Sequence, residues 1–229
     1  MIRILTLLAT SVFMLSAACA GESGDNGNDR FQEGVHYHEV NETTSTDSDR
    51  VEVVEVFSYA CPGCNAFLPQ ITRWHENKPE YVEFSRLPVI FQSSWEPFAE
   101  AYYTAEVLEI IEDGHADLFS ALHEQREPIR SLDDLAAFWS DYGVEEDEFL
   151  STAGSFSVDS KVRQSRNKVN RWGVPGTPTV VVNGKWRITA GNDMNHGTMI
   201  EVLDYLVEKE SSGLAASENG EDDGETAES

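Results

Sequence analysis

A run of β-forming residues, 51–57, ends in Ser58-Tyr59-Ala60 and leads at once into Cys61-Pro62-Gly63-Cys64 and a stretch that reads as helix over 65–76. No other feature limits the fold so tightly. Two residues between the cysteines let one helical turn bring both sulfurs within bonding distance, which makes a redox pair. The first thiol then sits where helix N–H groups are unpaired and the macrodipole is positive. That field favours thiolate, the species that attacks a disulfide. Pro62 suits the first turn, because its missing N–H would have been an orphan there.

The strand itself is too continuously apolar to be one-sided, which predicts a central, buried strand. Glu55 interrupts it, and a lone buried carboxylate is costly unless paired or protonated. Its place just before the cysteines makes it a candidate functional acid. Arg86, in the strand expected over 82–91, is either its buried partner or simply a strand-edge charge.

Two plainer uses of the pair are weaker. Zinc needs about four ligands, and the chain has no second Cys-x-x-Cys, while its histidines are scattered at 36, 38, 75, 115, 123 and 196. No metal and no cofactor is expected. A purely structural disulfide would close too small a loop to stabilise much through chain entropy.

Residues 1–20 carry Arg3, an apolar run and then small residues, the pattern of a secretory signal peptide rather than a membrane span. Two exits are open. Ala18-Cys19-Ala20 fits cleavage before Gly21, whereas Ser16-Ala17-Ala18-Cys19 resembles a lipoprotein box with Cys19 as the lipidated residue. Residues 21–30 read as a polar, Gly-rich linker. Either exit delivers the product to an oxidising compartment, where disulfides persist. The net charge of −25 over 229 residues argues against nucleic acid and against anionic membrane surfaces as partners.

The remaining chain reads as one core with an insertion. Alternation over 35–40 predicts a first strand. From 95 to 159 the pattern is helical throughout, with an apolar stripe at Ala101, Ala105, Leu108 and Ile111, a second at Leu118, Phe119 and Leu122, and a capping box at Ser131 and Asp134. No chemistry is visible in it. A further helix, 158–172, carries Lys161, Arg163, Arg166, Lys168 and Arg171, expected as a solvated face. Then Thr177-Pro178 precedes a strand, Asn183-Gly184 marks a hairpin and 185–190 should return. A closing helix is expected over 193–210. Residues 211–229, low in apolar content, are expected to be a disordered acidic tail.

Taken together, the strand ending in Cys-x-x-Cys, Pro69 five residues after the second Cys, and Thr177-Pro178 before a hairpin resemble a thioredoxin fold. The helical insertion, with Ser155-Phe156-Ser157-Val158, Gly173-Val174-Pro175 and Val182-Asn183-Gly184-Lys185, narrows the resemblance to DsbA-type thiol:disulfide interchange proteins. It implies an α/β thioredoxin fold, 31–94 and 160–210, with an inserted α-helical domain over 95–159. It implies Cys61 as exposed nucleophile, Cys64 as buried resolving partner, and Glu55 as the buried acid that passes protons to and from Cys64. Pro178 falls on the family's cis-proline, with Thr177 presenting backbone to a bound peptide.

The implied activity is oxidation of thiols in unfolded or reduced exported proteins in the periplasm. Reoxidation by a DsbB-type, quinone-linked membrane enzyme is implied with it. A reductase or isomerase with a dedicated client is the alternative, and a peptide-binding chaperone with an incidental disulfide is a third reading. Three departures bear on this. The family is a known case of a strongly acidified cysteine, but its usual dipeptide is Pro-His and here it is Pro62-Gly63. Thr177 stands where Val is usual, and Arg86 where the family has a lysine that gives up protons more readily.

Overall fold

The computed structural model describes residues 30–44, 49–191 and 194–218. The signal peptide, the candidate lipidation site Cys19 and residues 219–229 lie outside the described residues.

Five strands form one sheet: β1 (His38–Glu39), β2 (Val51–Phe57), β3 (Val82–Pro88), β4 (Thr179–Val182) and β5 (Trp186–Thr189), in the order β1-β5-β4-β2-β3. Only β2 and β3 run parallel, as they must when a crossover helix, α1 (Pro62–Asn77), joins them. The remaining neighbours are antiparallel, and β4–β5 is the hairpin expected from Asn183-Gly184, both of which take positive φ. The first strand is shorter than the alternation over 35–40 suggests. Gly34, at φ +78°, opens a turn that takes up Val35 and His36, so pairing starts only after Tyr37.

β2 is buried along nearly its whole length, and its two faces meet different layers. Val51 and Val53 pack against α1 and α7 (His196–Glu218), through Phe67, Ile71, Leu203 and Leu206. Val54 and Val56 pack against Val169 and Trp172 of α6 (Phe156–Trp172). α7 continues to Glu218, eight residues into the stretch expected to be disordered. Leu214, Ala215 and Ala216 are strong helix formers and outweigh Gly213 there.

Between β3 and α6 stand α2 (Glu96–Val107), α3 (Ile111–Ser120), α4 (Leu132–Ser140) and α5 (Glu146–Ala153), with a π-helical turn at Ala121–Gln125. The stripe that ran from Ala101 to Ile111 is two helices, because the chain breaks at Glu109, which takes φ +60°. The capping box at Ser131 and Asp134 is formed on both sides. These helices share one apolar cluster with the active-site segment: Phe57, Tyr59, Cys61 and Cys64 pack with Tyr102, Phe119 and Trp139 among others. α6 is a single helix that crosses the expected boundary at 159/160.

The basic residues of α6 lie on the expected solvated face, and each is also ion-paired there. Lys161 pairs with Glu106, Arg166 with Glu96, Lys168 with Glu52 and Arg171 with Glu42, while Arg163 pairs within the helix with Asp159. In so acidic a chain each of these five cations has a carboxylate close by. Such part-exposed pairs contribute only ~0–1 kcal/mol each, so their main effect is to align α6 with α2, the sheet and the loop before β2.

Gly114 allows α3 to lie against α4. A Cβ there would stand 2.4 Å from Cζ3 of Trp139, whose side chain is fully buried. Gly114→Ala should gain ~1 kcal/mol of helix propensity but cost ~1–3 kcal/mol through overpacking against a ring that cannot withdraw. The expected result is a melting temperature lower by a few degrees, at about 2–4 °C per kcal/mol for this size. A melt at or above the parent's would show that Trp139 repacks freely.

Candidate active site

The local sequence dictates the geometry of the pair. Cys61 is the N-cap of α1, with an extended backbone (φ −96°, ψ 111°) and Pro62 next to it inside the helix. Its sulfur accepts a hydrogen bond from the backbone N–H of Cys64 at 3.3 Å, satisfying one of the helix's orphan donors. The turn before it is closed by the Cys61 N–H donating to the Ser58 carbonyl at 3.0 Å and the Ala60 N–H to Ser58 Oγ at 3.2 Å. The two sulfurs are not bonded to each other, so the pair is in its reduced form.

The second wall is the loop before β4. The Thr177–Pro178 peptide is cis, and the Thr177 carbonyl oxygen lies 3.5 Å from Cys61 Sγ. Cys61, expected to be exposed, retains only 8% of its surface, because this loop leans over it; Cys64 retains none. Cys61 is still the member of the pair that solvent reaches. Gly63 fits closely under the loop: a Cβ there would stand 3.3 Å from Pro178 Cδ and 3.7 Å from Cys61 Sγ. The structure thus brings Cys61, Cys64, Gly63, Thr177 and Pro178 to one place.

The two sulfurs are electrostatically unlike. A hydrogen bond from Cys64 is the largest influence on Cys61, with further ones from the Thr177 side chain and the N–H groups of Cys64 and Gly63. Against the opposing effect of burial, they lower its pKa from 9 to about 5. The same contact, together with burial, pushes Cys64 far up. At neutral pH the reduced pair holds one thiolate, at Cys61, and one thiol, at Cys64.

Glu55 is 2% exposed and faces Arg86 directly across the parallel β2–β3 ladder. Arg86 Nε lies 3.4 Å from Glu55 Oε2, yet neither atom has a directed hydrogen bond, so the contact is a charge contact. Burial raises the Glu55 pKa from 4.5 to about 7, and Arg86 only partly offsets it. The pairing is therefore present.

The helical insertion, where no chemistry was expected, also reaches the site. His123, in the π-helical turn, donates from Nε2 to the Tyr59 carbonyl at 2.7 Å, two residues before Cys61. The Tyr59 hydroxyl is hydrogen-bonded to Nδ1 of buried His115 at 2.8 Å, inside a cage of Phe57, Tyr102 and Phe119. Burial, then Arg86, drives His115 well below its ordinary 6.5, and burial drives Tyr59 well above 10. Both stay uncharged at neutral pH. Nothing local in the sequence marks these residues, because each partner comes from more than fifty positions away.

A family model described as a DSBA-like thioredoxin domain matches residues 86–198. The thiol:disulfide interchange protein DsbA of Pseudomonas aeruginosa is 33% identical over 183 residues, covering 80% of this chain and 87% of that protein. Its counterpart from Pseudomonas syringae pv. tomato is 31% identical over 211 residues, covering 92% and 95%. The crystal structure of Pseudomonas aeruginosa DsbA superposes with a TM-score of 0.75 over 81% of this chain and 97% of that one. With a thioredoxin-type sheet, a helical insertion and a thiolate-bearing cysteine pair at a helix start, this chain belongs to the DsbA-type thiol:disulfide interchange proteins and is a thiol-disulfide oxidoreductase that introduces disulfides.

Proposed function

We propose that the protein oxidises thiols of exported, still-unfolded chains in the periplasm through Cys61 and Cys64. The observation that carries this is the asymmetry of the pair: a stabilised thiolate with some exposure at Cys61 and a fully buried, proton-holding Cys64. In the oxidised protein a client thiolate attacks Cys61 Sγ. The Cys61–Cys64 bond breaks, a mixed disulfide forms at Cys61, and Cys64 leaves with the bonding pair and takes up a proton. The client's second thiolate then attacks its own sulfur in the mixed disulfide and expels Cys61 as thiolate. Two electrons have passed from the client to the pair, and a DsbB-type, quinone-linked membrane enzyme takes them on.

Thr177 and Pro178 would hold the client beside Cys61, the Thr177 backbone pairing with an extended segment. Glu55 supplies and removes the proton at Cys64, since an acid near 7 serves in both directions at neutral pH. Export follows from the signal peptide, with Cys19 lipidation or cleavage before Gly21 as its two exits. No helix among the described residues is long and apolar enough to cross a membrane. Reductase, isomerase and chaperone readings draw no support from the relatives.

The test is oxidation of a reduced, unfolded two-cysteine client by the oxidised full chain, followed by stopped flow across pH, with Glu55→Gln alongside. The parent should show an inflection near pH 7, which the variant should lose together with roughly tenfold in rate. Stability should change with a definite sign. A carboxyl raised in the folded state contributes stability that is full below pH 4.5 and lost as pH rises through about 7. Glu55→Gln should not lose that contribution. Unchanged rates and profile would make Glu55 purely structural, and a parent that leaves the client reduced would remove the oxidase reading itself.

A further inference from the structure

Arg86 serves two carboxylates. On one side it faces buried Glu55 at 3.4 Å; on the other its Nη1 straddles Glu112, 3.3 Å from Oε1 and 3.5 Å from Oε2. Glu55 lies in the sheet, whereas Glu112 opens α3 of the insertion and its side chain is 73% exposed. We propose that Glu112 is a positioning residue: by holding one arm of Arg86 it keeps the guanidinium from closing squarely on Glu55, so the insertion sets how readily the buried acid takes up a proton. Its bearing on the redox reaction rests on the role given above to Glu55.

Three features support this. Cross-strand register sets Arg86 directly opposite Glu55, near enough for a forked, two-bond pair, yet Glu55 Oε2 and Arg86 Nε both lack a directed hydrogen bond. The edge that faces Glu55 is Nε with Nη2, and Nη1 on the other edge is held by Glu112, which limits how far the planar guanidinium can turn toward Glu55. Second, Glu112 is held in place. It stands in the first turn of α3, where the helix dipole favours a carboxylate, between Ile111 and His115, and both pack in the cluster that contains Phe57, Tyr59 and Cys61. Third, an ion pair on so exposed a carboxylate adds little stability, so its consequence lies in where it leaves the guanidinium.

The other groups that feel Arg86 are His75 from α1, Tyr59 from the active-site turn, Tyr102 from α2 and His115 from α3. Burial holds the two phenols high and both imidazoles low, so none of them carries charge at neutral pH. Near pH 7 the electrostatics about Arg86 thus reduce to Glu55 and Glu112. Both effects of losing Glu112 have one sign. Arg86 is released toward Glu55, and a negative charge is removed, so Glu55 should ionise at lower pH.

The experiment follows the Glu55 carboxyl by infrared difference titration of the reduced full chain, with Glu55→Gln identifying the band. Glu112→Ala should lower its midpoint by about half a pH unit or more. Glu112→Gln, which keeps an acceptor for Arg86, should recover part of that shift, and Glu112→Asp most of it. An unmoved or raised midpoint in Glu112→Ala, with or without a lower melting temperature, would overturn the proposal and leave Glu112 as a helix-end residue. The reading of Glu55 fails separately. If the carboxyl midpoint falls in Glu112→Ala while the pH profile of client oxidation stays put, Glu112 tunes Glu55 but Glu55 does not serve Cys64. If the midpoint is unmoved while Glu55→Gln abolishes the profile's inflection, Glu55 stands and Glu112 falls.

Discussion

Cys64→Ala should stop net disulfide formation, because Cys61 alone cannot form the disulfide that takes the client's electrons. Mixed disulfides loaded at Cys61 should last longer, because the attack by Cys64 that returns the client reduced is gone. The loss of turnover should be several orders of magnitude, down to uncatalysed exchange. The adducts should be visible on non-reducing gels after loading Cys61 with oxidised glutathione and then a reduced client. Brief iodoacetamide treatment of the reduced parent near pH 6 should label Cys61 well over ten times faster than Cys64, since only the thiolate reacts and Cys64 is held as a buried thiol. The variant should differ in a second way. The hydrogen bond from Cys64 is the largest cause of the low Cys61 pKa, and burial opposes it. Removing the donor should therefore move the pH midpoint of Cys61 alkylation upward from about 5 toward 9. Preferential labelling of Cys64, or trapping by Cys61→Ala instead, would reverse the two roles.

How far this site can be read in advance depends on the range of the forces that make it. The N-cap position of Cys61 follows from five consecutive residues, because capping and the helix dipole act within one turn. Glu55 stands out for a similar reason, as a charge in an apolar strand. Its link to Arg86 needs only the register of two parallel strands, and that register holds. The helical insertion is legible as helices through its apolar spacing and its capping box, but not as part of the site. Whether His123 meets the Tyr59 carbonyl, or Glu112 meets Arg86, is decided by how α3 docks on the sheet, a tertiary result of packing Phe57, Tyr59 and Phe119 together. The same holds for α6, whose cations are an unremarkable stripe until five carboxylates from the sheet, α2, the preceding loop and α6 itself close on them. Errors at element ends have local causes, a positive φ at Gly34 or Glu109 that hydrophobic periodicity does not register.

The oxidising strength of the protein should depend on the smallest residue in its motif. Relative to Pro-His family members, Gly63 offers Cys61 a backbone N–H and no side chain. Gly63→His should place an imidazole next to the thiolate, since a Cβ at this position stands 3.7 Å from Cys61 Sγ. A hydrogen bond of ~1–3 kcal/mol to a charged sulfur stabilises the reduced form alone. With each ~30 mV equal to about 1.4 kcal/mol for a two-electron couple, the potential should rise by roughly 20–60 mV. The pKa of Cys61 should fall below about 5. Between the folded and the ordinary thiol value, roughly pH 5 to 9, the reduced protein should melt further above the oxidised one than in the parent, and the gap should shrink as acid protonates Cys61. Sterics oppose this, because the new Cβ stands 3.3 Å from Pro178 Cδ and one of the two must give by a few tenths of an ångström. Gly63→Ala carries that contact without the imidazole and so separates the two effects. Potentials measured against glutathione should rank Gly63→His above both the parent and Gly63→Ala. A histidine variant no more oxidising than the alanine one would show that the loop over Cys61, and not the missing side chain, sets the potential of this protein.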